Sequence, residues 1–541
     1  MQRRRLLVGS AALGASALLA ACHSQEGDSA HITGDFVGTH AERGHLLRGA
    51  QPLAVPTVTR RADALILGGG VAGLAAARAL RQRGVEDFAL LELEDSAGGN
   101  SRAGSMAGLA CPLGAHYLPL PSDAAWEVQD LLEEFGLRQR ISGRWQYDER
   151  HLCHSPQERL FFNGAWQEGL LPVQGVGAAT QAQYQKFAAL VAQWRQQTAW
   201  RIPASKGPLA GQVSGLVAAS FAAYLDQNGL TDPHLRWYLN YCCRDDYGAG
   251  IATVSAWAGI HYFASRHGFS APGMDSGERE GLLTWPQGNA WLTQRLAAPL
   301  GQRLHTGQVV LRIASLKHGV EVDCLDMATH TMRRWQARRA IVALPIFVAA
   351  RVVVNPPDWL REAAQHIRYA PWLVANLHIR AALHDRAGAP PSWDNVLYDD
   401  RPGTTALGYV DAQHQSLQPV PGATVLTCYR ALGDLPDGRA QTLRQPWAHW
   451  RDLLMAELAV PHPDLAAKTT RIDITRYGHA MAIPTPHHNG QIGLFPSWNQ
   501  GGLLSKMPQP RLQHDRLSFA HSDWAGYSIF EEAFTLGHHA A

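Results

Sequence analysis

Three glycines and one glutamate have the spacing of a site that binds a dinucleotide. Gly68, Gly70 and Gly73 form the pattern G-x-G-x-x-G, and Glu92 follows about 20 residues later. The first glycine permits a tight turn, the second lets the backbone approach a pyrophosphate, and the third lets a helix pack closely on a strand. N–H groups at the helix start would hold the phosphates, and the glutamate would accept hydrogen bonds from a ribose.

This chemistry needs a strand, a turn and a helix in that order, and the flanking sequence predicts all three. DALIL, residues 63–67, is a short apolar run typical of a buried parallel strand. VAGLAAARALRQRG, residues 71–84, predicts a helix that ends at Gly84. DFALLE, residues 87–92, predicts a second strand ending in the glutamate. The unit predicts an α/β, Rossmann-like domain.

The sequence after this unit resembles the flavin-containing amine oxidases, including relatives of monoamine oxidase and phytoene desaturase. ELEDSAGGNSRAG leads into a second glycine turn at Gly98 and Gly99. In that family, such a turn contacts the diphosphate and the flavin of FAD, and an arginine usually follows the glycines directly. Here Asn100 takes that place and the arginine comes later, as Arg102. The resemblance implies FAD as the cofactor, with rearranged neutralisation of its phosphates.

Further segments resemble elements of the family in the family's order. They are CPLGAHYLPL (residues 111–120), LTWPQGNAWLTQRLAAPLG (283–301), LHTGQVVLRI (304–313), RRAIVALPIFVAARVVVNPP (338–357) and RLSFAHSDWAGYSIFEEAFTLGHHAA (516–541). The helix from about Ser528 would direct its positive N-terminal end at the flavin and so stabilise negative charge on the reduced ring.

The resemblance also implies a set of site residues. The implied FAD contacts are Gly68, Gly70, Val71, Ala72, Gly73, Glu92, Leu93, Gly98, Gly99, Asn100, Ser101, Arg102, Gly114, Ala115, His116, Val309, Asp523, Gly526 and Tyr527. Two of the implied positions are catalytic. Tyr527 matches one wall of the aromatic cage around the amine. Arg351 matches the position that usually holds a lysine, bonded through water to flavin N5; arginine keeps the charge but does not readily lose a proton.

The pieces that resemble FAD-binding elements are separated along the chain, which predicts two interleaved domains. Residues 62–120, 283–345 and 474–541 are expected to form the FAD-binding domain. Residues 121–282, predicted mostly helical, and residues 346–473, predicted to mix strands and a helix, are expected to form an α+β substrate domain.

The first 22 residues predict an export signal rather than part of the fold. A basic start precedes the apolar run Leu6–Ala21, which is shorter than the roughly 20 residues of a membrane span. Arg3-Arg4 resembles a twin-arginine signal. The ending LAAC resembles a lipobox, which would leave a lipid anchor at Cys22; an ordinary signal peptide with a chance cysteine is the alternative. The resemblance predicts export by the twin-arginine machinery to the periplasmic side of a bacterial envelope. Residues 23–61 predict a linker that partly wraps the first domain.

Composition and cysteine use limit the other classes of function. The formal net charge of +2 argues against a protein that binds nucleic acid. Six cysteines follow Cys22, and a protein that folds in the reducing cytoplasm before export should keep them as buried thiols. His151, Cys153 and His154 have no second cluster at zinc-like spacing, so no metal site is predicted.

The predicted reaction is the oxidation of a small-molecule amine, or a similar C–H donor, by hydride transfer to flavin N5. A dry cavity favours the neutral amine because burying an unpaired ammonium is costly. A polyamine-like substrate fits this reaction, but the sequence places no acidic cluster to bind it. One alternative is a desaturase- or isomerase-like enzyme for a lipophilic alkene, which a long apolar tunnel would favour. Another is a non-catalytic envelope lipoprotein that retains the flavin fold. The electron acceptor, oxygen or a quinone, stays open.

Overall fold

The computed structural model describes residues 29–49, 54–207, 212–273, 281–416, 420–486 and 512–541. The predicted export signal lies outside these residues. Within them, no helix has both the length and the apolarity to cross a bilayer. The α-helices are Ala41–His45, Val71–Gln82, Trp126–Glu134, Ala178–Gln197, Ser214–Ala218, Phe221–Gln227, Pro233–Tyr247, Ala256–Ala264, Ala290–Ala297, Ile346–Val352, Asp358–His366, Gly438–Arg444, Trp447–Leu458, Leu465–Lys468 and Phe530–Ala540. Short 3-10 helices are Leu46–Arg48, Asp123–Ala125, Ala204–Lys206, Ala298–Arg303 and Ser522–Ala525.

The first main sheet collects short strands from distant parts of the chain. In spatial order they are Leu304–His305, Phe88–Leu91, Ala64–Leu67, Arg339–Val342, Leu517–Phe519 and Gln513–His514. All pair in parallel except the last. Leu65, Ile66 and Leu67 are fully buried because helices or a second sheet cover both faces. The predicted strand, turn and helix around the glycines are confirmed, and the helix ends before Gly84, whose φ is +75°.

The second main sheet has eight strands and forms the floor of the other domain. In spatial order they are Thr33–Phe36, Thr469–Ala482, Tyr369–Ile379, Thr424–Ala431, Ala406–Asp411, Asp394–Leu397, Glu158–Phe162 and Ala165–Glu168. A smaller sheet has four strands, in the spatial order Gln308–Leu316, Gly319–Asp326, Thr331–Ala337 and Val58–Arg61. Two-stranded sheets pair Tyr117–Pro119 with Leu282–Thr284, Ala103–Met106 with Leu109–Pro112, and Arg138–Ile141 with Arg144–Tyr147.

Strands form in three places where the sequence did not predict them. Strand Thr469–Ala482 continues in the eight-stranded sheet beyond residue 474, because it pairs along its length with Tyr369–Ile379. Residues 33–36 and 58–61 of the expected linker are strands, paired in parallel with the second sheet and with Thr331–Ala337. Residues 158–168, expected in the helical region, form a hairpin around Asn163-Gly164, a turn pair with positive φ at both positions.

Two helices pack together on one face of the first sheet. Helix Phe530–Ala540 packs on helix Val71–Gln82 at Gly537, where an added Cβ would lie 2.0 Å from the Ala72 carbonyl oxygen. Only glycine allows that approach. The prediction for the cysteines is confirmed for the six that follow Cys22, since all are buried and free.

Candidate active site

A cavity of about 1620 Å³ runs between the two main sheets. Ordinary ligand pockets measure about 300–1,000 Å³, so this one has room for a dinucleotide and a small substrate. Most of the predicted FAD contacts line it. They are Gly68, Gly70, Val71, Ala72, Glu92, Leu93, Gly98, Gly99, Asn100, Ser101, Gly114, Ala115, His116 and Asp523. The fold therefore brings together residues from four separate stretches of the sequence.

The first glycine turn is built by close backbone contacts. Gly68 has a φ of +104°, and an added Cβ would lie 2.3 Å from the Ala343 carbonyl oxygen. A Cβ on Gly73 would lie 1.9 Å from the Gly68 oxygen. A Cβ on Gly70 would meet only the Cα of Gly99, at 3.9 Å. The turn is therefore tightly packed at Gly68 and Gly73 and open at Gly70, which faces the second glycine loop. A cradle for a pyrophosphate requires this arrangement.

Glu92 stands beside this cradle. Its Oε2 accepts a hydrogen bond from the Gly69 N–H at 2.6 Å, and its Oε1 accepts one from the Glu94 N–H at 2.8 Å. Burial raises the pKa of Glu92, although both amides and Arg102 oppose the shift. Each carboxylate oxygen keeps a second lone pair, so the side chain can still accept from ribose hydroxyls. These residues fit the adenosine diphosphate part of FAD.

The second glycine loop is fixed from both sides of the cavity. Arg102 is buried, and its Nε donates to the Gly99 carbonyl oxygen at 3.0 Å. Asn100 donates through Nδ2 to the Ala480 oxygen at 2.7 Å, and its own carbonyl accepts from the Ala115 N–H at 2.8 Å. Arg102 therefore shapes the loop from behind and does not line the cavity.

Asp523 is a buried carboxylate that ties three elements together. Its Oδ2 accepts from the Ile346 N–H at 3.0 Å and from the Tyr369 hydroxyl, and its Oδ1 lies 3.1 Å from Nδ1 of His521. Burial favours the neutral acid, but His521, Tyr369 and the Ile346 amide together lower the pKa of Asp523 below its ordinary value. The side chain is thus charged at neutral pH and faces the cavity.

Aromatic rings form the wall beyond Gly114 and Ala115. The His116 ring stacks on Tyr429 with centroids 4.3 Å apart and an interplanar angle of 27°, and it contacts Tyr117 edge-on at 4.9 Å. Trp372 completes this side of the lining. Burial lowers the pKa of His116 to about 3, so the ring is neutral at physiological pH. Tyr429 and Trp372 were missed in the sequence; strand alternation in ATVLTCYR and APWLVANL is the signal that places them on one face.

Two neighbouring acids, Asp245 and Asp246, line the cavity beside these rings. Asp245, near the end of helix Pro233–Tyr247, lines the cavity, and its charge acts on Tyr429. Burial and the neighbouring charge of Asp246 raise the pKa of Asp245 to about 7. Asp246 itself lies 3.1 Å from Nη2 of Arg266, whereas no hydrogen bond reaches the Asp245 side chain from the residues that the structure describes. The sequence shows this only as a pair of acids near the end of a helix that also carries Arg236, Asn240 and Arg244.

The structure places Arg351 at the cavity mouth. The side chain is exposed, and its Nη1 donates to the Leu47 carbonyl oxygen at 3.1 Å. None of its contacts supports the catalytic role expected at this position.

Tyr527 does not line the cavity, which corrects its expected place in an aromatic cage. It is buried and packs against Tyr247, Trp257 and His261, and its hydroxyl donates to Oε1 of Glu532 at 2.7 Å. Gly526, with a φ of +84°, turns the chain away just before it. Ile529, two residues further on, faces the cavity in its place.

Changing Tyr527 to phenylalanine should therefore affect stability and leave catalysis intact. The change removes one buried hydrogen bond to Glu532, which typically stabilises a fold by about 1 kcal/mol. Chemical denaturation should detect that loss, while KM and kcat for any accepted substrate should stay within about twofold of wild type. A large rise in KM with unchanged stability would restore Tyr527 to the substrate wall.

The remaining expected contacts lie just behind the surface. Gly73 packs against Gly68, and Val309 is fully buried on the far side of its strand. Gln308 and Val310 face the cavity instead, because neighbouring residues of a strand point to opposite sides. Val309 therefore does not line the cavity, and its contact with adenine stays a prediction.

Comparisons with known proteins agree with this arrangement. A family model described as flavin containing amine oxidoreductase matches residues 71–541. An L-amino acid dehydrogenase of Synechocystis sp. is 30% identical over 142 residues, which make up 26% of this chain and 28% of that protein. The match thus spans about a quarter of the relative's length.

Solved structures resemble the chain over most of its length. A putrescine oxidase bound to putrescine has a TM-score of 0.63 at 17% identity, covering 89% of this chain and 98% of that one. Cyclohexylamine oxidase from Brevibacterium oxydans has a TM-score of 0.61 at 15% identity, covering 88% of this chain and 97% of that one. A fatty acid isomerase from P. acnes has a TM-score of 0.58 at 15% identity, with the same two coverages. Identities this low show a shared fold. Since the family model covers most of the sequence, the chain belongs to the flavin containing amine oxidoreductase family and is an FAD-dependent oxidoreductase.

Proposed function

We propose that the enzyme oxidises an amine bound between the aromatic wall and Asp245. The observation that carries this proposal is a carboxyl group that faces the cavity without a hydrogen-bonding partner among the described residues and whose pKa is raised to about 7. A substrate ammonium supplies the missing donor. The same group is the acid that a polyamine-like substrate would need.

Asp245 would also prepare the substrate for oxidation. An amine must lose its proton before it can give up a hydride equivalent, and a carboxylate with a pKa near neutrality is suited to accept that proton. The rings of His116, Tyr429 and Trp372 exclude water and position the substrate carbon, and the neutral His116 adds no positive charge that would repel an ammonium. FAD, when bound, supplies the hydride acceptor.

Lipophilic alkenes and amino acids are the alternatives to simple amines as substrates. The fatty acid isomerase among the structural neighbours keeps a lipophilic alkene under consideration, but a carboxyl group in the wall is costly to bury against a hydrocarbon chain. The short match to an L-amino acid dehydrogenase adds amino acids to the compounds worth testing.

The cellular setting is proposed from the sequence. The twin-arginine pattern and LAAC motif support export by the twin-arginine machinery and attachment through Cys22 on the periplasmic side of the envelope. That pathway carries folded proteins, so FAD would be loaded in the cytoplasm. Oxygen or a quinone would then reoxidise the flavin.

Anaerobic bleaching of the flavin tests the proposed function. Primary amines, diamines, amino acids and isoprenoids are each mixed with the holoenzyme, and we expect amines to bleach it. The bleaching rate should rise with pH through about 7, where Asp245 ionises. Asp245→Asn should slow bleaching by about tenfold or more and lose that pH step.

Asp323→Asn is the matched control, because Asp323 is a buried acid outside the cavity, on strand Gly319–Asp326, and it pairs with Arg334 at 2.7 Å. It should keep the rate and the pH profile. Bleaching by isoprenoids alone would favour the desaturase alternative, and holoenzyme that no compound bleaches would favour the non-catalytic one.

A further inference from the structure

Exposed leucines and arginines surround the cavity mouth. We call them the mouth patch: Leu46, Arg48, Arg351, Arg439, Leu443 and Arg444. All but Leu46 line the cavity, and Leu46 precedes Leu47, which also lines it. Leu46 is 44% exposed and Leu443 is 38% exposed. Both belong to a short group of large apolar side chains that stay exposed in the described part of the chain. The patch is therefore apolar and basic at once.

Three elements hold the patch together. The Leu47 carbonyl accepts from Nη1 of Arg351, which joins the turn Leu46–Arg48 to helix Ile346–Val352. Arg439 and Leu443 are four residues apart in helix Gly438–Arg444, so they share one face of that helix. Burial lowers the pKa of Arg439, and the nearby charge of Arg48 lowers it further.

The positive charge of the patch is not neutralised within the fold. Over the described residues, none of its four arginines forms an ion pair, and Arg48 and Arg439 both act on His45, whose pKa is lowered by burial and by their charges. Two acids lie nearby: Asp437 lines the mouth, and the charge of Glu42 reaches His45. Four guanidiniums outnumber these two carboxylates, so the patch favours an anionic partner.

The first described residue contacts the helix that follows one of the patch's helices in sequence. Ser29 donates through Oγ to Oδ1 of Asp452 at 3.4 Å, on the helix Trp447–Leu458. That helix follows helix Gly438–Arg444 after two residues. Cys22 precedes Ser29 by seven residues, a stretch that reaches at most about 25 Å when extended. A lipid anchor at Cys22 would thus be held within that reach of Ser29.

We propose that the mouth patch docks the enzyme onto the surface of an anionic phospholipid membrane. Arginines attract the phospholipid headgroups, and the leucines insert among them, as in other interfacial surfaces with one apolar and one basic component. The cavity mouth then opens towards the bilayer. A lipophilic electron acceptor dissolved in the membrane could enter there without crossing water.

Vesicle binding tests the docking surface. The full-length holoenzyme is sedimented with vesicles of phosphatidylcholine alone or mixed with phosphatidylglycerol, and the ratio of the two partition constants is measured. The N-terminal segment is common to every variant, so changes in this ratio report on the patch. We expect a preference for the mixed vesicles that weakens as salt is added.

Paired variants should remove this preference. Arg48→Glu with Arg439→Glu should lower the ratio by about tenfold or more, and Leu46→Glu with Leu443→Glu should weaken binding to mixed vesicles by about tenfold. Leu316→Glu, at a leucine 46% exposed elsewhere, and Arg140→Glu are the matched controls and should bind as wild type. Unchanged flavin absorbance confirms folding. Wild type without a preference for mixed vesicles, or patch variants that bind as well as wild type, would overturn the proposal.

Discussion

Gly73→Ala should give protein that loses most of its flavin and unfolds at a lower temperature. The added methyl group would lie 1.9 Å from the Gly68 carbonyl oxygen, and both atoms belong to backbone segments that cannot move without opening the turn. Overpacking of this kind costs about 1–3 kcal/mol. The helix start would also shift from the position in which its N–H groups can hold the pyrophosphate. The flavin-to-protein ratio and the unfolding midpoint measure the two effects.

Gly215→Ala makes the same chemical change where the structure leaves room. Gly215 lies in helix Ser214–Ala218, and an added Cβ meets nothing within 4 Å. Alanine favours a helix over glycine by up to about 1 kcal/mol, so this variant should keep its flavin and unfold at the same or a higher temperature. If Gly73→Ala bound flavin as well as Gly215→Ala does, the glycine turn would not be the phosphate cradle.

Local sequence signals predicted the part of the site that depends on short-range geometry. The strand, glycine turn and helix from residue 63 to residue 84 are set by neighbouring residues, and Glu92 follows at the end of the next strand. The side of the strand on which Val309 lies could not be predicted from local signals. The resemblance identified the segment that contains Val309, but only the pairing with Gly319–Asp326 decides which alternate residues face the cavity.

Long-range pairing decided the features that the sequence did not predict. Residues 33–36 contain no strong strand signal, yet they pair with residues 471–474, far along the chain. Tyr527 is aromatic and close to Asp523 in sequence, but the turn at Gly526 buries it behind the cavity wall. The raised pKa of Asp245 depends on burial, on Asp246 beside it and on charges from distant residues such as Glu158. Such contacts have no local signature.

Asp523→Ala should weaken both FAD binding and the fold. The change leaves the Ile346 N–H and the Tyr369 hydroxyl without an acceptor and removes the carboxylate that lies 3.1 Å from Nδ1 of His521. Each unsatisfied buried group costs about 1–3 kcal/mol, so we expect a loss of about 3 kcal/mol in the free energy of unfolding. Asp523→Asn keeps one acceptor oxygen and should cost less. Asp323→Ala, at a buried acid outside the cavity, should lower stability but leave the affinity for FAD unchanged.

The pH dependence of the Asp523→Asn effect separates the charge of the carboxylate from its shape. The pKa of Asp523 is lower in the folded protein than the ordinary value of about 3.9. Its charge therefore stabilises the fold above that value, and the contribution is lost as the pH falls through the lower, folded-state pKa. The difference in unfolding free energy between wild type and Asp523→Asn should be constant near neutral pH and shrink below about pH 4. A difference that grew in acid would mean that Asp523 is protonated in the fold, and that a neutral carboxylic acid faces the cofactor.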